Sequence, residues 1–140
     1  MEVTIGKTRA KASPEVVKGH FPDKFKTMQC PITNVLDRIS DKWSIHTIIL
    51  LGKSEKLRFS ELMKGIHGIS QRMLTVTLRS LEEDGLVSRQ VFAEIPPRVE
   101  YQLTDLGRSL LSQLIHLSEW ASENMTKIFE SRERYKTEKV

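Results

Sequence analysis

A mainly α chain with a small β-hairpin, an α+β arrangement closed by a long C-terminal helix, is the fold class that three features of the sequence predict. The first is a pair of amphipathic segments, Ser60 to Ile66 and Ser70 to Asp84, joined through Gly65, His67 and Gly68. Helix, short glycine-containing turn, helix is the helix-turn-helix pattern. The second is a pair of β-prone runs, Leu86 to Val91 and Val99 to Leu103, on either side of Ile95-Pro96-Pro97-Arg98. Prolines interrupt a strand, so the middle becomes the tip of a hairpin. The third is an apolar helical pattern that starts at Thr104 and lasts about 30 residues, or ~45 Å. A hairpin directly after the second helix of the pair is the element order of a winged helix-turn-helix domain.

Composition sets the bounds. The chain has 140 residues, 39% apolar and 29% charged, which is ordinary for one globular domain with an added element. The net charge of +4 fits a polyanionic partner without requiring one. No apolar run approaches the ~18 residues that span a bilayer, and no apolar signal core opens the chain. The single cysteine, Cys30, leaves no intrachain disulfide and suits a reducing cytoplasm. The expected localisation is therefore cytoplasmic, with no membrane partner.

In chain order, residues 1–27 form a basic arm, partly disordered, in which Pro14, Gly19 and Pro22 interrupt any long helix. The winged domain is expected over 28–103. Pro31 suits the first turn of a helix, where a missing N–H costs nothing, and Ile32, Val35, Leu36 and Ile39 mark its apolar face. Asp41 caps a largely apolar second helix that Gly52 ends. Leu57-Arg58-Phe59 is too short for more than a token strand. Ser60 with Glu61 opens the third helix. Ser70 is the N-cap of the next, since its hydroxyl accepts from a first-turn N–H, and Gly85 takes the left-handed position after its end. Between these caps Met73, Leu74, Thr77, Leu78 and Leu81 share one face, and Gln71, Arg72, Thr75, Val76 and Arg79 the other. Thr104 caps the last helix, expected over 104–133, with a frayed tail over 134–140. The apolar residues of that helix cover more than half its circumference, more than one small domain buries. A second copy is the economical cover, so the expectation is a homodimer through Leu110, Leu114, Leu117, Trp120, Ala121 and Ile128.

The polar face of the Ser70 to Asp84 helix carries the chemistry. Arginine and glutamine make bidentate bonds to base edges in the major groove, so Gln71, Arg72, Thr75 and Arg79 are candidates for base or phosphate contact. Val76 either meets a thymine methyl or packs at the edge of the core. Ser60 and Lys64 are candidates for phosphate from the preceding helix, with Lys42 and Lys56 weaker ones. Arg89 on the first strand and Arg98 at the hairpin tip are placed to reach phosphate or a narrow minor groove. The plain alternatives are an ordinary amphipathic surface helix and solvated loop charges. His20, His46, His67 and His116 are scattered, with neither H-E-x-x-H nor a cysteine pair at zinc spacing. No catalytic residue, metal or cofactor is expected.

With the elements placed, the sequence resembles the HxlR-type family of bacterial winged helix-turn-helix regulators, akin to the MarR group. The resemblance rests on Cys30-Pro31-Ile32, Asp41-Lys42-Trp43-Ser44 with Ile48 to Leu51, Leu57 to Leu62, Ile69 to Leu74 with Leu78, Leu81, Gly85 and Leu86, and Pro96-Pro97-Arg98-Val99-Glu100-Tyr101 with Leu103, Thr104 and Gly107. It covers about Cys30 to Trp120. The family usually has glycine before the Lys-Trp pair, where Ser40-Asp41 stand here. The resemblance implies a dimeric, sequence-specific transcription factor on double-stranded DNA, with an inverted-repeat operator. It also makes Cys30 a candidate sensor, because the Cys-Pro cysteine of some members senses oxidants or electrophiles; the plain alternative is a small, half-buried residue kept for packing. The competing readings are a winged-helix module that binds protein, and a regulator with a small-molecule pocket at a dimer interface near Trp43 or Trp120.

Overall fold

The computed structural model describes residues 30–139, so the basic arm expected over 1–27 lies outside them. The chain divides between Ser40 and Asp41 into two compact units, inside the 28–103 segment that the sequence reads as one domain. The first unit contributes one described helix, α1 (Pro31–Ile39). Pro31 stands in its first turn as expected, and Asn34 N–H donates to the Cys30 carbonyl at 3.1 Å. Ile39 is buried, whereas Ile32, Val35 and Leu36 are exposed.

The second unit runs α2 (Lys42–Gly52), β1 (Leu57–Arg58), α3 (Phe59–Gly65), α4 (Gln71–Glu83), β2 (Val87–Phe92), β3 (Arg98–Leu103) and α5 (Asp105–Lys139). Asp41 caps α2 doubly: its carboxylate accepts from Ser44 N–H at 2.9 Å and from Ser44 Oγ at 2.7 Å. Gly52 ends α2 as expected, without a left-handed residue, since Lys53 follows in right-handed conformation. It also lies against α5, where a Cβ would meet the end of the Leu111 side chain.

The token strand β1 joins the hairpin, giving an antiparallel sheet in the order β1-β3-β2. Leu57 stands opposite Tyr101, and the β2–β3 register pairs Val87 with Leu103 and Phe92 with Arg98. The expected hairpin is thus a three-stranded sheet. The start of α3 also differs from expectation. Arg58, not Ser60, is its N-cap residue, and Glu61 reaches back to accept the Arg58 N–H at 2.9 Å. A strand that passes straight into a helix leaves the cap to its own last residue.

The core lies where α2, α4 and the sheet converge. Ile48, Leu51, Leu62, Leu74 and Leu81 are fully buried, with Leu78, Val87 and Leu103 close behind. Each such side chain contributes about 1.5–3 kcal/mol. Thr47, buried among them, donates its hydroxyl to the Trp43 carbonyl at 2.7 Å.

Helix α5 is 35 residues long, or ~52 Å. It continues through residues 134–139, expected as a frayed tail, and a Lys136–Glu133 pair at 3.3 Å lies in that last stretch. Its start is tied to the end of α4. Thr104 Oγ1 accepts from Gly107 N–H at 3.0 Å and donates to the Gly85 carbonyl at 2.6 Å. Gly107 lies so close to the Leu86 carbonyl that any Cβ would collide with it. Replacing Gly107 by alanine must shift backbone. The expected cost is about 1–3 kcal/mol, read as a lower midpoint in urea denaturation; an unchanged midpoint would mean that the junction has slack.

Candidate nucleic-acid interface

The candidate interface is built on α4. Ser70 Oγ accepts the Met73 N–H at 3.0 Å, the expected cap. At the other end Gly85 adopts φ +76°. Its N–H donates to the Glu82 carbonyl and the Leu86 N–H to the Leu81 carbonyl, each at 3.0 Å, a closed Schellman turn. Leu74, Thr77, Leu78 and Leu81 bury the back of the helix. Met73, expected with them, is 38% exposed, because it lies at the margin of the stripe in the first turn.

The front is presented to solvent. Gln71, Arg72, Val76 and Arg79 are exposed, and Thr75 is half-buried. Thr75 donates its hydroxyl to the Gln71 carbonyl at 2.9 Å, so toward a ligand it offers lone pairs. Val76, 54% exposed, is on the outer face and not at the core. On α3, Ser60 and Lys64 are exposed. Lys42 stacks its ammonium 4.4 Å over the Trp43 ring, and Lys56 is exposed.

The two arginines of the hairpin differ. Arg98 turns inward on the wing. Its guanidinium lies 4.0 Å over the Phe92 ring, its cross-strand partner, and Nη2 is 3.3 Å from Glu94. Nε, buried, lies 4.0 Å from Glu100 Oε2, an ion-pair distance beyond hydrogen bonding. Arg89 is about half-exposed, with Nε 3.4 Å from Glu82 Oε2. It borders a cleft of ≈ 200 Å³ between α4 and the sheet, lined by Phe59, Thr75, Leu78, Arg79, Glu82, Arg89 and Tyr101. Burial pushes the Tyr101 hydroxyl above its usual pKa, with Arg89 opposing, Glu82 assisting and Arg79 opposing. The phenol is therefore a proton donor at neutral pH.

The structure thus brings Thr75, Arg79 and Arg89 to one cleft and leaves Arg72 and Gln71 beyond it on the same helix. Glu82 and Tyr101 are cleft residues that sequence reasoning did not single out. The signals were present: Glu82 lies three residues after Arg79 and seven after Thr75, on one helix face. Tyr101 falls opposite Arg89 once the hairpin register is counted from its tip.

Cys30 occupies the N-cap position of α1 and is buried. Its thiol pKa is lowered from the ordinary value, first by the Thr33 backbone N–H; burial opposes this, and the Thr33 hydroxyl and Ile32 N–H assist. Of the α5 residues expected at a subunit contact, Leu117 and Trp120 are exposed, and Leu110, Leu114, Ala121 and Ile128 are half-buried. Among the described residues no three His, Cys, Asp or Glu side chains cluster as a metal site, and no helix is long and apolar enough to cross a membrane.

Comparison with known proteins agrees with this architecture. The HxlR-like helix-turn-helix family matches residues 38–129. YdeP of Bacillus subtilis (strain 168), an HTH-type transcriptional regulator, is 40% identical over 99 residues, 71% of this chain and 77% of that protein. A solved MarR-family regulator from Enterococcus faecalis V583 superposes with a TM-score of 0.65 at 39% identity, over 74% of this chain and 94% of the other. The redox regulator HypR in its reduced form gives 0.65 at 40% identity, over 72% of this chain and 98% of its own. The chain belongs to the HxlR-like helix-turn-helix family and is a transcriptional regulator of the helix-turn-helix type.

Proposed function

We propose that this regulator binds double-stranded DNA sequence-specifically as a homodimer, with α4 in the major groove and the β2–β3 wing against the adjoining backbone. The observation that carries the reading is the front of α4. A helix fixed at both ends and along its back presents Gln71, Arg72, Thr75 and Arg79 together. The donors of Gln71, Arg72 and Arg79 and the lone pairs of the Thr75 hydroxyl, whose proton is given to the Gln71 carbonyl, are what base edges and phosphates would meet. Ser60 and Lys64 on α3 suit phosphate. Two copies related by a dyad read an inverted repeat with half-sites about one helical turn apart. The dimer runs through α5, whose exposed Leu117, Trp120 and Phe129 form apolar surface that favours a partner helix.

Selection of bound DNA from a random pool tests the reading, and palindromic enrichment is the expected result. On the selected site Arg72→Ala should weaken binding by about 1–3 kcal/mol and leave random DNA unaffected. It should leave the thermal midpoint alone, whereas Arg98→Ala should lower it through loss of the Phe92 stack and the wing ion pairs. Affinity should fall steeply with salt; salt-insensitive binding, or no enrichment, would end the proposal.

Oxidant or electrophile response through Cys30 is the second part. A helix N-terminus favours the thiolate, which is the reactive form, and the lowered thiol pKa and the likeness to HypR support it. With one cysteine per chain, a disulfide must join two chains. Alkylation rate against pH should be half-maximal below the ~8.5 of a free thiol, because the thiolate persists to lower pH when its pKa is depressed. After mild oxidation a non-reducing gel should show a covalent dimer that Cys30→Ser lacks. An unchanged monomer band with unaltered DNA binding would remove Cys30 from the function.

A further inference from the structure

We propose that the cleft between α4 and the sheet is the seat of one DNA backbone phosphate, and that Glu82 is a built-in carboxylate that competes with this phosphate for Arg89. The proposal rests on the DNA-binding reading and adds a device to it.

Two surfaces meet at the cleft. From α4 come Thr75, Arg79 and Glu82, at spacings of four and three residues that stack them on one face. From the sheet come Arg89 and Tyr101, directly opposite each other on β2 and β3, so that their side chains leave the same face. All five line one hollow. Its donors are two guanidiniums and a phenol that stays protonated; the Tyr101 hydroxyl makes no hydrogen bond among the described residues. Glu82 is the acid among them.

Position selects the ligand. A helix in a major groove and a hairpin at the adjoining minor groove straddle the sugar–phosphate strand that separates the two grooves. The opening between α4 and the wing therefore faces that strand. A phosphate diester is an acceptor without donors, which is what two arginines and a phenol recognise. In the free protein that acceptor role falls to Glu82, whose Oε2 lies 3.4 Å from Arg89 Nε. The pair is single-pronged and about half-exposed on both sides. Such pairs are weak, so a phosphate delivered by a docked duplex displaces the carboxylate. Until then Glu82 keeps Arg89 engaged and repels the backbone of poorly docked DNA, a repulsive element that restrains binding.

The test uses the full-length protein and duplex carrying the selected site, with random duplex as control. Glu82→Gln keeps the shape and removes the charge. It should tighten both duplexes by about two- to fivefold, the worth of the exposed pair that the phosphate no longer has to displace. Tyr101→Phe keeps the ring and should weaken both duplexes, in the wild-type and Glu82→Gln backgrounds alike. Neutral methylphosphonates placed one at a time should identify one position per half-site at which the Glu82→Gln gain disappears. Equal or weaker binding by Glu82→Gln would overturn the proposal. So would a gain that survives every methylphosphonate position. Wild-type protein that binds neither duplex would overturn the DNA reading itself, whereas wild-type binding without the gain removes the seat alone.

Discussion

The fold turns on the junction of two turns, Gly85-Leu86 and Thr104 to Gly107. Thr104 N–H donates to the Leu86 carbonyl at 3.0 Å, its hydroxyl donates to the Gly85 carbonyl at 2.6 Å, and the same oxygen caps α5 through Gly107 N–H. The Leu86 carbonyl also sits against the bare Cα of Gly107. Four elements end or begin within these few residues: α4, β2, β3 and α5. A side chain at Gly107 would push the strand off the helix, and a right-handed residue at Gly85 would misdirect the chain into β2. The junction therefore fixes where the front of α4 lies relative to both the wing and the long helix. Interiors packed this closely do not deform gradually, so α4 and the start of α5 are held in one arrangement.

Much of this was legible in the sequence, and what was legible shares a physical character. Caps at Asp41, Ser70, Gly85 and Thr104 depend on bonds between residues three to five apart, and short-range chemistry can be read from a string. The apolar back of α4 follows from periodicity alone. The α+β order followed from the proline-centred hairpin after the helix pair. What escaped depends on distant partners. Gly52 ends its helix as read, but its contact with Leu111, 59 positions later in the chain, could not be seen. Gly107 looks like a tolerated helix glycine but meets Leu86. Ser60 has the right chemistry for a cap, yet β1 pairs with β3 up to Arg58 and leaves no residue between strand and helix. The front of α4 was readable as Gln71, Arg72, Thr75 and Arg79. The cleft beside it was not, because it needs the register that puts Tyr101 opposite Arg89.

Arginine number is a poor guide to the interface; arginine engagement is a better one. Arg98, at the exposed tip in sequence, is held on Phe92 between Glu94 and Glu100. Arg98 offsets these two carboxylates and ties the two strands of the hairpin together. Arg89 is engaged by a single carboxylate in partly solvated surroundings, an arrangement that yields readily to a competing anion. Arg72 has no ion pair among the described residues. These arginines form a series from structural to available that composition and net charge cannot reveal.

The charge distribution along α4 gives that series a direction. The first turn carries Gln71 and Arg72, and no acid stands there. The last turn and cap hold Glu82, Glu83 and Asp84 without a basic residue. A helix dipole favours the opposite arrangement, with acids at the start and bases at the end. The arrangement is intelligible on a polyanionic groove. On the proposed reading the N-terminal end, with dipole and side chains both positive, is the end that the base edges attract, while Glu82 in the last turn restrains the backbone contact beside it. In the proposed complex the helix enters the groove by its first two turns, so Gln71, Arg72 and Thr75 lie nearest the base edges and Arg79 nearer the backbone. Recognition helices of this class are read from their N-terminal residues, and the charge distribution of this helix favours that orientation.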